Sequence, residues 1–106
     1  MGGIMAIAAN GFSEVKASVA LSASQLGINS IFQDLKVNST FFIAAENDAN
    51  IYGTNFAVES TAMYNISDEP KKLKIIPNNS DHGTILLNTS GLNEEIIDWI
   101  DTMINK

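Results

Sequence analysis

The feature that most constrains the fold is an unbroken apolar run, Thr40–Ala45, which reads TFFIAA. Aromatic and β-branched residues favour strands. A strand that is apolar at successive positions, rather than at alternate ones, is typical of burial on both faces, as in parallel sheets covered by helices. The run therefore predicts a central parallel strand of an α/β domain.

Two further strands are predicted, one on each side of this run in the sequence. Residues 15–21 read VKASVAL, and residues 73–76 read LKII and stop at Pro77, which lacks the N–H that a strand ladder needs. The predicted helices cover residues 3–9, 29–35 and 55–64, and a final stretch with Asn93 as its cap and Lys106 at its end. This alternation predicts about three parallel strands joined by right-handed helical crossovers and flanked by helices.

The two later helices have apolar residues at helical spacing, which predicts the face that each one buries. The helix over residues 55–64 is expected to bury Phe56, Ala57, Ser60, Met63 and Tyr64. In the final helix the stripe is Ile96, Ile97, Ile100, Met103 and Ile104, and Glu94 and Glu95 suit the positive end of the helix dipole in its first turn. We interpret Trp99 and the methionines as packing residues rather than as parts of a cofactor site.

Composition narrows the classes of function. The chain has 106 residues, 12 acidic against 6 basic side chains, and no cysteine. The length predicts a single domain over residues 1–106, and the absence of arginine with a net charge of −6 argues against binding to nucleic acid. No apolar run reaches the roughly 20 residues needed to span a bilayer. We expect no membrane association, no cofactor and a cytoplasmic location.

The predicted sheet has few strands, although two of them have the composition of central rather than edge strands. Residues 15–21 and Thr40–Ala45 both have the composition of central strands. A sheet that ended beside such a strand would expose apolar surface and unpaired backbone groups. The sequence therefore predicts part of a larger sheet, with self-association or a partner chain possible at the open edge.

Chemically capable side chains follow the second and third strands. Asp48 lies shortly after Thr40–Ala45, while Asp81 and His82, the only histidine, follow the strand over residues 73–76. Because ligands and catalytic groups collect at the carboxyl ends of parallel strands, Asp48 and His82 are expected to meet there. Such a pair lets the carboxylate fix the imidazole tautomer. Asp48, Asp81 and His82 lack the spacing of a metal site, and we expect no metal.

This arrangement resembles the carboxyl-terminal half of an α/β-hydrolase. The resemblance rests on TFFIAAEND at residues 40–48, followed by a helix, a strand and SDHG at residues 80–83. It is most similar to the dienelactone-hydrolase-like and acyl-esterase branches. The resemblance implies Asp48 as the catalytic acid, His82 as the base, a partial three-layer sheet, and a small-molecule acyl ester as the substrate of the full-length form.

The amino terminus extends the resemblance. The opening MGGIMAIAA is similar to the continuation of a Gly-x-Ser-x-Gly nucleophile elbow, beginning one residue after the serine. The resemblance then implies that Met1, Gly2 and Gly3 are the remnant of the elbow and oxyanion hole, and that the chain lacks its nucleophile and is inactive alone. The other interpretation is a start codon followed by two flexible glycines.

Other serines do not replace that nucleophile convincingly. Ser22 and Ser24 follow the first strand at the correct end of the sheet but lack the elbow sequence, and Ser80 is too close in sequence to His82. Two alternative functions stay open. One is a non-catalytic α/β interaction module that completes its sheet with a partner chain, and the other is an independent small enzyme with Asp48 and His82 as an acid–base pair.

Overall fold

The computed structural model describes residues 17–23 and 38–105. In chain order these residues form strand β1 (Ser18–Leu21), strand β2 (Thr40–Ala45), helix α1 (Phe56–Ile66), strand β3 (Lys71–Ile76), a short 3₁₀ helix (Gly83–Asn88) and helix α2 (Leu92–Ile104). The helices predicted over residues 3–9 and 29–35 lie outside the described residues, as do Met1, Gly2 and Gly3.

The described strands form one parallel sheet in the order β1-β2-β3, which confirms the predicted strand direction and the α/β class. β2 is central and all of its residues are buried, as its composition predicts. β1 spans four residues and is mostly half-buried, so within the described residues it lies at the margin of the sheet. Whether further strands continue the sheet beyond β1 stays a prediction.

The two faces of β2 explain why residues 41–45 are all apolar. Phe41, Ile43 and Ala45 belong to one buried cluster, which also contains the apolar side of α2. Phe42 belongs to a second cluster on the opposite face, with Met63 of α1. Successive side chains of a strand point to opposite faces, so a strand covered by helices on both faces is apolar at successive positions, here residues 41–45.

Helix α1 matches its predicted face and nearly its predicted bounds. Asn55 caps its first turn by accepting a hydrogen bond from the Val58 N–H at 3.0 Å. Ala57, Ser60 and Met63 are buried as expected, and Phe56 and Tyr64 are half-buried. The buried Ser60 Oγ donates to the carbonyl of Ala23 at 3.0 Å, which ties α1 to the residues after β1.

Helix α2 differs from the prediction at its start and in its stripe. Asn93 is not the cap, because the helix begins at Leu92 and its cap is Gly91, in the left-handed region at φ +81°. Ile97 and Ile104 are exposed rather than buried. The core side consists of Leu92, Ile96, Trp99, Ile100 and Met103.

The cause of this shift lies just before α2. The 3₁₀ helix at Gly83–Asn88, which the periodicity did not predict, buries Leu86 completely and leads into the turn at Gly91. The turn delivers Leu92 into the core, so the buried stripe begins there and takes in Trp99. The Trp99 ring lies 6.0 Å from that of Phe41, and its Nε1–H donates to the Ser18 carbonyl at 3.3 Å. The prediction that Trp99 serves packing is confirmed.

Strand β3 begins two residues earlier than predicted, at Lys71. Its full length pairs with β2, from Thr40 opposite Lys71 to Ala45 opposite Ile76. The prediction missed Lys71 and Lys72 because it relied on apolar residues. Their side chains nevertheless lie along the sheet. Lys71 donates to the Tyr64 carbonyl at 2.9 Å, and Lys72 Nζ lies 4.8 Å from the centre of the Phe41 ring. Among the described residues, no helix is long and apolar enough to cross a membrane.

Candidate functional site: an aspartate–histidine pair at the carboxyl ends of the strands

Asp48 and His82 come together at the carboxyl ends of the two neighbouring strands β2 and β3. Nδ1 of His82 lies 2.7 Å from Oδ2 of Asp48. β2 and β3 are parallel and in register to their last residues, Ala45 and Ile76, so the loops that follow them leave the same edge of the sheet. The contact expected from the sequence is therefore present.

The loop after β2 holds Asp48 in place through its backbone. The Asp48 N–H donates to the Ala45 carbonyl at 3.3 Å, and the Asp48 carbonyl accepts from the Phe56 N–H at 2.8 Å, at the start of α1. Farther along the loop, the Asn50 side chain accepts from the N–H groups of Tyr52 and Thr54. The carboxylate is thus fixed between a strand end and a helix start, and its side chain is only 8% exposed.

The loop after β3 is fastened to the loop after β2. The Asn47 N–H donates to the Asn79 carbonyl at 2.9 Å, and Glu46 Oε1 accepts from the Asn78 N–H at 3.1 Å. Within the loop, Asn79 Oδ1 accepts from the Asp81 N–H at 2.7 Å. These bonds hold the two loops side by side, so the approach of His82 to Asp48 does not depend on the side-chain contact alone.

The hydrogen bond determines which nitrogen of His82 carries the proton. An ionised carboxylate has only acceptors, so the bond to Asp48 places a proton on Nδ1 and, in the neutral ring, leaves the lone pair on Nε2. No described residue forms a hydrogen bond to Nε2, and the His82 side chain is 51% exposed. The ring is therefore held on one side and presents a proton acceptor on the other.

Phe56 provides a second contact to the imidazole. Its ring centre lies 4.7 Å from that of His82, with the two ring planes at 64°. This edge-to-face arrangement is a favourable geometry for aromatic rings. Phe56 was predicted only as part of the buried face of α1. Its position at the first turn of the helix, just after the Asp48 loop, is what brings it to His82.

Ser22 also reaches this edge of the sheet, from the end of β1. Its Oγ accepts a hydrogen bond from the Gly83 N–H at 3.0 Å, directly after His82. Ser22 is 7% exposed and has a left-handed backbone at φ +56°. The sequence suggested an ordinary loop serine. The signal for a closer role was its position, because it directly follows a strand parallel to β2.

Other residues considered from the sequence do not join the pair. The structure places no hydrogen bond between the side chain of Asp81 and His82, and the described residues contain no group of three His, Cys, Asp or Glu side chains suited to a metal. Ser80 is exposed, and Ser24 lies outside the described residues, as do Met1, Gly2 and Gly3. An open depression of about 370 Å³, between Glu46 and the first turns of α1, does not include Asp48 or His82 in its lining.

The described geometry is that of an oriented imidazole at the edge of a parallel sheet. It can accept a proton at Nε2 and stabilise the resulting imidazolium through Asp48. Comparisons of the chain with protein families, with curated proteins and with solved structures find no match.

Proposed function

We propose that the chain is the carboxyl-terminal part of an α/β-hydrolase-type serine hydrolase that acts on ester or related acyl bonds. One observation carries the proposal, the hydrogen bond of 2.7 Å between Asp48 and His82 on consecutive parallel strand ends. In that superfamily the acid precedes the histidine along the chain and both follow strands, as here. The three-layer hydrolase arrangement of the complete sheet, a cytoplasmic location and a small-molecule acyl ester substrate are parts of the same proposal.

In the proposed reaction, His82 is the general base and Asp48 its orienting partner. Nε2 takes the proton from a serine hydroxyl as the hydroxyl oxygen attacks the carbonyl carbon of the ester. The imidazolium then passes this proton to the leaving alcohol as the bond from carbon to that alcohol breaks. Asp48 keeps its charge throughout and stabilises the imidazolium through Nδ1–H.

The attacking serine is assigned to sequence upstream of Met1. By the resemblance, Met1, Gly2 and Gly3 are assigned as the remnant of the elbow and oxyanion hole. Residues 1–106 contain no Gly-x-Ser-x-Gly sequence, so we expect them to lack acyl-transfer activity on their own.

The first test is the reading frame immediately upstream of the Met1 codon. The proposal expects Gly-x-Ser there, in frame and preceded by a strand-like apolar run. A different in-frame sequence would remove the assigned nucleophile and contradict this part of the proposal.

The second test compares p-nitrophenyl ester hydrolysis by the chain and by a form extended through that elbow. We expect no hydrolysis by the chain above that of its His82→Ala variant. The extended form should be active and should lose about 10⁴-fold in kcat on Asp48→Asn, as when the orienting acid of a triad is neutralised. Asp81→Asn is the matched control, since Asp81 is adjacent to His82 in sequence and makes no side-chain bond to it. Full activity in the extended His82→Ala variant would overturn the assignment.

The second candidate function is a non-catalytic α/β module that completes its sheet with another chain. It is favoured by the position of β1, a short and mostly half-buried strand at the margin of the described sheet. Size-exclusion chromatography with light scattering tests it. A concentration-dependent dimer that is kept by Ile97→Lys, an exposed position on α2, supports this function. A monomer at every concentration counts against a self-completing sheet.

A further inference from the structure

Ser22 connects the end of β1 to the residue after His82, across the end of β2. The sheet order is β1-β2-β3, so β1 is not a neighbour of the strand that leads to His82. The bond from the Gly83 N–H to Ser22 Oγ, 3.0 Å long, nevertheless joins residues that are 61 positions apart. All three strand ends thus converge on the histidine.

Ser22 is itself held firmly enough to serve as an anchor. Its N–H donates to the Ile43 carbonyl of β2 at 2.8 Å, which continues the pairing of the two strands. Its φ of +56° is a conformation that residues with a Cβ adopt rarely, and its side chain is buried. Such backbone conformations persist only where surrounding contacts impose them, and they occur often at functional sites.

The hydrogen bond from the Gly83 N–H restrains the backbone of His82 on its carboxyl-terminal side, where the other hydrogen bonds of this loop do not act. Three residues before the histidine form hydrogen bonds that hold the loop, namely Asn78, Asn79 and Asp81. Gly83 forms its hydrogen bond immediately after the histidine. Gly83 has φ +63° at the point where the chain enters the 3₁₀ helix. The peptide unit that links His82 to Gly83 is planar, so fixing its N–H fixes the backbone orientation of His82.

We infer that Ser22 is a positioning residue that holds the His82 ring against Asp48. Ser22 Oγ fixes the backbone of the histidine, and Asp48 fixes the ring. That this restraint on His82 contributes to catalysis rests on the proposed function. The restraint itself is a property of the described residues, and it can be measured without any catalytic turnover.

The experiment uses the imidazole nitrogen spectrum of the 106-residue chain, in which His82 is the only histidine, so every imidazole signal is assigned to it. The variants are Ser22→Ala, which removes the acceptor, and Ser22→Gly, which removes it and also accepts a positive φ without strain. In the wild type we expect the Nδ1–H tautomer and a protected Gly83 amide. Both variants should exchange the Gly83 amide about 3–10-fold faster, as expected for one lost hydrogen bond, and should shift His82 toward a mixture of tautomers.

Ser67→Ala is the matched control, because Ser67 is also buried and also forms a side-chain hydrogen bond, to the Met63 carbonyl at 2.6 Å. Its loss should leave the His82 signals unchanged. A wild-type tautomer that survives in both Ser22 variants, or an equal change in Ser67→Ala, would overturn the positioning role. A change in only one of the two Ser22 variants also counts against the role, because both variants lose the same acceptor.

The same spectra distinguish failure of the proposed function. If Asp48→Asn leaves the His82 tautomer unchanged, the orienting pair on which that function rests is refuted. If Asp48→Asn changes it and the Ser22 variants do not, only the role of Ser22 is refuted. An unprotected Gly83 amide in the wild type also refutes the role of Ser22, and this requires no variant.

Discussion

Asp48 and His82 are 34 residues apart in the chain, and their side chains lie 2.7 Å apart. A helix and a strand occupy the interval, α1 and β3, and β3 pairs in parallel with the strand that precedes Asp48. One crossover is therefore enough to bring acid and base together. The predictions below separate the contributions of the groups around this pair.

Asp48→Asn should release the tautomer of His82. An amide can donate as well as accept, so it no longer requires the proton to be on Nδ1. We expect the imidazole nitrogen spectrum to change from one tautomer to a mixture. Asp81→Asn, at the neighbouring position, should leave the spectrum as it is. Equal changes in both variants would indicate a general effect of charge rather than the specific bond.

Phe56→Leu should loosen the His82 ring without unfolding α1. The edge-to-face contact at 4.7 Å contributes about 0.5–1.5 kcal/mol beyond the burial of the ring. The loss should appear as a change in the proton shifts of His82, because the field of the aromatic ring disappears. Tyr52→Leu is the control, since Tyr52 is 85% exposed at the tip of the preceding loop. Unchanged His82 shifts in Phe56→Leu would refute the contact.

Gly83→Ala and Gly91→Ala should destabilise the domain alike but differ at the histidine. Both glycines have a positive φ, +63° and +81°, and a Cβ at either position would meet no atom within 4 Å. The left-handed backbone should therefore account for the destabilisation of each variant, at about 1–2 kcal/mol in urea unfolding. Only Gly83→Ala should also alter the His82 spectrum. A large difference in stability between the two variants would contradict the shared cause.

Ser60→Ala should lower the free energy of unfolding by about 1–3 kcal/mol, because the Ala23 carbonyl loses its buried hydroxyl donor. Ser90→Ala, at an exposed position in the turn before α2, should change it by less than about 0.5 kcal/mol. Chemical denaturation measures both. A loss as small for Ser60→Ala as for Ser90→Ala would mean that solvent replaces the buried bond.

The sequence predicted the parts of the fold that depend on local pattern. Thr40–Ala45 indicated a strand buried on both faces, and the parallel direction followed from the helix between β2 and β3. The Asp48–His82 contact followed from that direction alone. The pattern did not predict the start of α2. A turn at Gly91 and a buried Leu92 replaced the expected cap at Asn93. Tertiary packing of Leu86 and Leu92 determined this boundary. The helix and cap preferences of single residues do not predict it.

The groups around the pair were missed for a related reason. Ser22 and Phe56 have ordinary local preferences, as a loop serine directly after a strand and as an apolar helix residue. Their importance depends on distant partners, Gly83 and His82, that only the assembled sheet brings near. The only sequence signal for either contact is the position of Ser22 directly after a strand.

The hydrogen bond from Trp99 to the Ser18 carbonyl spans 81 positions and joins the last helix to the first described strand. Together with the burial of Leu92 and Met103 in the cluster that contains Phe41 and Ile43 of β2, it means that this face of the described sheet is fully covered only when α2 is in place. Because domains fold as units during synthesis, the described sheet cannot complete its folding until the ribosome has synthesised α2. Premature stop codons before Trp99 should therefore yield products that aggregate or are degraded, instead of shortened domains.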